Sequence, residues 1–358
     1  MANKRLITSL LALAIVSLQV NAHERPDASK TRPKVLKLEG LKNIIAFGDS
    51  YTDVGYNIVG YGGVQLPQPS LDNYEGNPPP PGTSTCYSPN YVEMLASEMN
   101  KTFTKLWDLA YSGAVVDGNL VSPYQYENNT FVYQVHGKFL PYFSEGRVPH
   151  DNTTAAMSKN KPVKREWEGS DTLFISLFGI NDIDRAMGGY WPLDPLWEEK
   201  APAMLTSWFD GLDKIREQGG EYFAILAVPP YWLSPSVQAY ENATYTQLAQ
   251  NRTLLWIEQL KLHHEAWTEA HPEIHAEIVD TFQLWLNITE EPERYPPLTQ
   301  VTTDCLAYVG GYWPHEDLNW YNSSCAAPMK EYLWLDWLHP SWTVHEYMAK
   351  LIIKTMGL

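Results

Sequence analysis

Ser50 stands in Phe47-Gly48-Asp49-Ser50-Tyr51-Thr52-Asp53, directly after the apolar run Ile44-Ile45-Ala46. A hydroxyl there is either the cap of a following helix or a nucleophile. A serine nucleophile needs a base to take its proton and a third group to orient that base. Of ten histidines, His339 in Asp336-Trp337-Leu338-His339-Pro340 follows a carboxylate at a spacing that a single turn can close. Pro340 discourages a regular helix through His339. His345, six positions later, reads as a surface or packing histidine. Ester cleavage also passes through a tetrahedral anion that two or three fixed donors must hold. Gly113, in Leu109-Ala110-Tyr111-Ser112-Gly113-Ala114, can present a bare backbone N–H. Asn181, in Gly179-Ile180-Asn181-Asp182, offers a side-chain amide, and the Ser50 N–H is the third donor. Asp49, Asp53 and Asp182 read as loop braces that accept backbone N–H groups.

These residues need elements to hold them. Five short apolar, β-rich runs read as strands: Asn43–Gly48, Thr104–Ala110, Thr172–Phe178, Tyr222–Val228 and Glu277–Phe282. Helical patterns cover Tyr91–Asn100, Ala203–Gln218, Thr244–Ala270 and Thr343–Met356. Strands alternating with helices imply parallel βαβ units and a three-layer α/β/α sheet. In such sheets sites lie beyond the carboxyl ends of the strands, where Ser50, Gly113 and Asn181 all fall. Gln65–Thr85 and roughly Tyr295–Trp320 read as long Pro- and Gly-containing loops.

Ser50 is not in a G-x-S-x-G elbow, because Thr52 occupies the second glycine position. The blocks Phe47-Gly48-Asp49-Ser50, Leu109–Ala114, Gly179–Asp182 and Asp336–Pro340, in that order, resemble those of the GDSL, or SGNH, hydrolases. The resemblance spans residues 41–358. It implies a flavodoxin-like three-layer α/β/α sandwich with a mainly parallel five-stranded sheet. It also implies serine ester hydrolysis without a metal or cofactor, with Ser50, Asp336 and His339 as catalytic residues and Ser50, Gly113 and Asn181 as the oxyanion hole. The same blocks, with the aromatic Leu333–Ser341 stretch, are similar to secreted fungal acetylesterases of carbohydrate esterase family 16. That narrower likeness implies removal of acetyl groups from hemicellulose-derived oligosaccharides. One departure stands out: Asp108 opens the second block where Asn is frequent. A lipid-ester lipase or acyltransferase, and a non-catalytic carbohydrate-binding scaffold, remain the alternatives.

Sugars stack on aromatic faces, so Tyr51 beside the nucleophile and Trp337 beside the base are candidate substrate contacts. Trp313, Trp334 and Trp342 lie near the same loops, where core packing is the competing use. His263-His264-Glu265 invites a metal reading. Adjacent helical residues point about 100° apart, so the two rings do not converge on one ion.

Residues 1–22, with Lys4, Arg5, an apolar run and Val20-Asn21-Ala22, read as a secretory signal peptide. Residues 23–40 read as a loose lead-in, and 41–358 as one domain. The formal charge of −16 argues against nucleic acid and anionic membrane partners. Seven sequons accompany the leader, at Asn100, Asn128, Asn152, Asn242, Asn251, Asn287 and Asn322. They imply a secreted, glycosylated protein with those sites on the surface. Of three cysteines, Cys305 and Cys325 form the preferred disulfide, which leaves Cys86 as a buried thiol.

Overall fold

A computed structural model describes residues 35–58, 66–70, 72–77, 84–145, 147, 165–188, 193–309 and 321–358. The leader, the Asn152 sequon and Trp313 lie outside the described residues. Five parallel strands form one sheet: β1 Asn43–Gly48, β2 Lys105–Asp108, β3 Thr172–Leu177, β4 Tyr222–Leu226 and β5 His275–Val279. Their order is β2-β1-β3-β4-β5, the flavodoxin-like order. β1, β3 and β4 are buried along their whole length, as expected where helices cover both faces of a parallel sheet.

The helices are α1 Tyr91–Ala96, α2 Phe131–Tyr133, α3 Leu140–Phe143, α4 Ile180–Met187, α5 Trp197–Glu217, α6 Pro235–Gln238, α7 Ala243–Ala270, α8 Thr281–Glu290 and α9 Trp342–Met356. α1, α8 and α9 pack together, while α2, α4, α5 and α7 form a second group. The α/β/α sandwich expected from the alternating pattern is therefore the fold. Between α2 and α3 the chain makes a π turn, Gln134–Phe139.

The boundaries differ from the sequence pattern for local reasons. β5 ends at Val279 because Asp280 caps α8, its Oδ1 accepting the Gln283 N–H at 2.9 Å. α5 starts at Trp197 and runs through Pro202. A proline deprives the carbonyl four residues back of its donor, and here that residue is the exposed Glu198, which water can serve. α1 starts where expected, because Asn90 and Glu93 form a reciprocal cap: Asn90 Oδ1 accepts the Val92 N–H, and Glu93 Oε2 accepts the Asn90 N–H at 2.8 Å.

Cys305 and Cys325 are joined as a disulfide, and Cys86 is a buried free thiol whose burial pushes its pKa up to about 12. One sequon departs from its expected surface position. Asn100 is buried, and its amide donates to Leu38 O at 3.0 Å and Thr104 Oγ1 at 2.7 Å. Both amide hydrogens are used inside the fold, which leaves no room there for a glycan. Asn128, Asn242 and Asn251 are exposed, and Asn287 and Asn322 are half-buried.

Candidate active site

β1 delivers Ser50 past its carboxyl end, and its neighbours hold the turn. Asp49 Oδ1 accepts the Tyr51 N–H at 3.0 Å, and the Asp49 carbonyl accepts the N–H groups of Thr52 and Asp53. Thr85 Oγ1 donates to the Ser50 carbonyl at 2.8 Å. Asp49 is fully buried, and burial raises its pKa from 3.8 to about 7.

The base comes from a tight loop between Leu335 and Pro340. The Leu335 N–H donates to the His339 carbonyl at 2.8 Å and closes it. Asp336 uses one carboxylate oxygen to shape the loop and the other to aim the ring. Oδ1 accepts the Leu338 N–H at 2.7 Å and the His339 N–H at 2.6 Å. Oδ2 faces His339 Nδ1 at 2.8 Å. Burial works to raise the Asp336 pKa, but the hydrogen bonds and charge of His339 outweigh it and the net shift is downward. The carboxylate is thus ionised and only accepts, so Nδ1 carries the proton. Nε2 then has a free lone pair, 2.8 Å from Ser50 Oγ. The distance fits a hydroxyl donating to a neutral imidazole, the starting geometry for proton removal.

The other two residues expected as donors, Gly113 and Asn181, sit on neighbouring loops that are tied together. Gly179 precedes α4 with φ +123°, and a Cβ there would stand 2.6 Å from Trp256 Nε1. The first turn of α4 reaches across to the loop after β2. Asn181 Nδ2 donates to the Ala114 carbonyl at 3.0 Å, and Asp182 Oδ1 accepts the Val116 N–H at 2.9 Å. Asn181 is buried and spends one of its two amide hydrogens there. Gly113 has φ +80°, and a Cβ would meet Tyr124 Cβ at 2.7 Å. On its other side, Asn129 Nδ2 donates to the Ser112 carbonyl at 2.7 Å. Among the described residues, no backbone carbonyl takes the N–H of Ser50 or of Gly113.

The brace reading holds for the acids. Asp53 Oδ2 accepts both the N–H and the hydroxyl of Ser112, at 2.7 and 2.9 Å, and ties the Ser50 loop to the Gly113 loop. Asp108 accepts the Val54 N–H at 2.7 Å and the Ala110 N–H at 3.0 Å, so the carboxylate that stands where Asn is frequent braces backbone on both sides. His345 is a packing residue: it is buried, lies parallel to Tyr91 at 5.9 Å, and burial lowers its pKa to about 3. The rings of His263 and His264 take separate partners, Gln259 O and Ala276 O.

Tyr51 corrects an expectation. It is fully buried, stacked against Trp285 at 6.4 Å, and its hydroxyl donates to the Leu338 carbonyl at 2.6 Å. It cannot reach substrate. It joins the nucleophile loop to the base loop instead, because an aromatic placed beside the strand end points into the core. Trp337 is 48% exposed, with its ring edge-on to His339 at 6.3 Å, so it remains open to a ligand. Trp334 and Trp342 are buried.

Sequence reasoning missed Gln134. Its amide grips both backbone polar groups of one residue, Gly48, at the end of β1. Oε1 accepts the Gly48 N–H at 2.9 Å, and Nε2 donates to the Gly48 carbonyl at 2.7 Å. Nothing in the local sequence marks it, since it sits 86 positions from Gly48 on the π turn.

The chain is similar to several known proteins. The GDSL-like lipase/acylhydrolase family matches residues 44–352. An acetylesterase from Thermothelomyces thermophilus is 30% identical over 286 residues, covering 78% of this chain and 84% of that protein. An acetylesterase from Hypocrea jecorina is 25% identical over 363 aligned positions, covering 89% of this chain and 90% of that protein. An alpha/beta hydrolase from the metagenome of Lake Arreo, Spain, superposes with a TM-score of 0.44 at 14% identity, over 88% of this chain and 95% of that one. Strand order, family match and acetylesterase relatives point the same way, and the chain belongs to the GDSL-like lipase/acylhydrolase family as a carboxylic ester hydrolase.

Proposed function

We propose that the protein is a secreted acetylesterase that removes acetyl groups from short acetylated oligosaccharides of hemicellulose. The observation that carries the reading is the hydrogen-bonded row Ser50 Oγ, His339 Nε2, His339 Nδ1 and Asp336 Oδ2, with 2.8 Å at each contact. His339 takes the Ser50 proton as Ser50 attacks the acetyl carbonyl. Asp336 holds the imidazole in the tautomer that accepts and stabilises the imidazolium that forms. The N–H groups of Ser50 and Gly113 and the free amide hydrogen of Asn181 hold the oxyanion. Collapse of the tetrahedral species passes the proton from His339 to the leaving sugar hydroxyl. Water, activated by the same histidine, then releases acetate from the acetyl-Ser50 ester. The acetyl choice is supported by the two acetylesterase relatives. The leader-like residues 1–22 support secretion, and no described helix is long and apolar enough to cross a membrane.

The test is a series of p-nitrophenyl esters, acetate to palmitate, beside an acetylated xylo-oligosaccharide, with Ser50→Ala as the control. Acetate release that collapses as the acyl chain grows, and that vanishes in the variant, is expected. Rising rates towards palmitate with the oligosaccharide untouched would refute the acetyl reading. Turnover that survives Ser50→Ala would refute the nucleophile.

A further inference from the structure

A cavity of about 680 Å³ adjoins the catalytic loops without containing Ser50 or His339. It meets the loop after the nucleophile through Asp53 and the Gly113 loop through Ser112. Its volume falls in the range of about 300–1,000 Å³ that suits small organic ligands.

Its lining is unusual for a protein surface. Tyr111, Tyr126 and Tyr133 border it and are 39%, 63% and 38% exposed. The rings of Tyr111 and Tyr126 stand 6.3 Å apart at 77°, making a corner; Lys138 Nζ lies over the Tyr111 ring at 5.7 Å, and Tyr126 is the more exposed of the two. Gln125 and Asn129 add amides. Tyrosine pairs an apolar face with a polar tip, and amides both donate and accept. Such walls fit a ligand with C–H faces and a rim of hydroxyls. A fatty acyl chain would strip water from the amides and return no hydrogen bond.

One cation and two carboxylates line the cavity, and burial raises the Asp108 pKa and so favours its neutral form. Lys138 donates to the Leu109 carbonyl at 2.9 Å and is faced by Asp53 and Asp108. Both Asp53 oxygens are engaged, by Gly55 and by Ser112. A neutral polar ligand is therefore favoured over an anion or a cation. The π turn supplies Gln134 and Lys138 to the wall, and π insertions recur at functional sites.

We propose that this cavity is the subsite for the sugar chain, holding neutral pyranose units next to the acetylated one while its ester lies at Ser50. The proposal rests on the acetylated-carbohydrate reading of the catalytic centre.

The test assays wild type, Tyr126→Ala, Tyr133→Ala and the double variant on an acetylated xylo-oligosaccharide and on p-nitrophenyl acetate. The readout is the ratio of the two kcat/KM values. Two aromatic contacts at about 1 kcal/mol each should lower that ratio about 10–30-fold in the double variant, mainly through the oligosaccharide KM. Calorimetry with deacetylated xylo-oligosaccharide as the probe, in a Ser50→Ala background, should show weaker binding in the same variant. Both tyrosines are exposed, so thermal melts should stay native. An unchanged ratio in an enzyme that deacetylates the oligosaccharide overturns the subsite alone. A variant that instead changes acyl-chain preference assigns the cavity to the acyl group and also overturns it. Wild type that cleaves the aryl acetate but no acetylated oligosaccharide overturns the proposal by removing the reading beneath it.

Discussion

Gln134 holds the end of β1 two residues before the nucleophile, and Gln134→Leu isolates that grip. Leucine nearly matches the volume, so the cost is one of hydrogen bonding and not of a cavity. The Gly48 N–H loses its acceptor, the Gln134 oxygen at 2.9 Å. The Gly48 carbonyl loses the Gln134 donor at 2.7 Å but keeps the Tyr111 N–H at 3.1 Å. One orphaned buried donor costs about 1–3 kcal/mol, and the second lost bond adds roughly 1 kcal/mol. The variant should be about 2–4 kcal/mol less stable, a fall of several degrees in Tm for a domain this large. Turnover should fall further than stability explains. A peptide released here lets Ser50 drift from His339, and a misplacement of about 1 Å can cost about 10²-fold. The assay pairs urea unfolding with kcat on p-nitrophenyl acetate, and Leu260→Ala on α7 serves as a destabilised control. That control should lose about 2–5 kcal/mol with kcat intact. Gln134→Leu matching the control in both stability loss and retained kcat would show that the grip is only structural and refute the reasoning. Gln134→Glu adds a pH handle. Protonated, it can accept from and donate to Gly48; ionised, it can only accept. Its kcat relative to wild type should therefore rise as pH falls.

Two further perturbations follow from the geometry. Gly113→Ala forces a side chain into φ +80° and to 2.7 Å from Tyr124 Cβ. The loop must shift, and its oxyanion donor with it, so kcat on a short acetyl ester should drop about 10²-fold while the circular dichroism spectrum stays native; near wild-type kcat would remove Gly113 from the oxyanion hole. Asp182 is buried, and burial raises its pKa from 3.8 to about 7. Because the folded value lies above the unfolded one, the acid destabilises the fold progressively as pH rises from about 4 to about 7, by up to roughly 4 kcal/mol. Asp182→Asn keeps an acceptor for Val116 and removes that charge. Urea unfolding at pH 5 and pH 8 should show less stability lost between the two than in wild type, and equal losses would contradict the assignment.

The candidate chemistry was legible in the sequence because its pieces are local. A hydroxyl after an apolar run, a glycine and an amide after two more, and a carboxylate three residues before a histidine are all short-range patterns. Parallel topology followed from strands alternating with helices, since a parallel pair requires a crossover. Strand ends were less legible. Phe282 invites extension of the fifth strand past Val279, but the Asp280 cap turns the chain into α8, and a cap competes with a strand only through its side-chain geometry.

What the sequence by itself determined is the set of candidate reacting groups and the parallel character of the sheet, because short spacing and alternation encode both. Tertiary structure alone decided how those groups are held and what lies beside them. Tyr51 looked like a substrate contact by adjacency, yet its ring turns into the core and clasps Leu338, 287 positions away. Gln134 carries no local mark, and its role exists only because a π turn brings it to Gly48. The tyrosine-lined cavity gathers residues from the segments at 53–58, 108–112 and 125–138. Contacts of this kind depend on how helices pack on the sheet, and packing is set by the whole core at once rather than by any window of sequence.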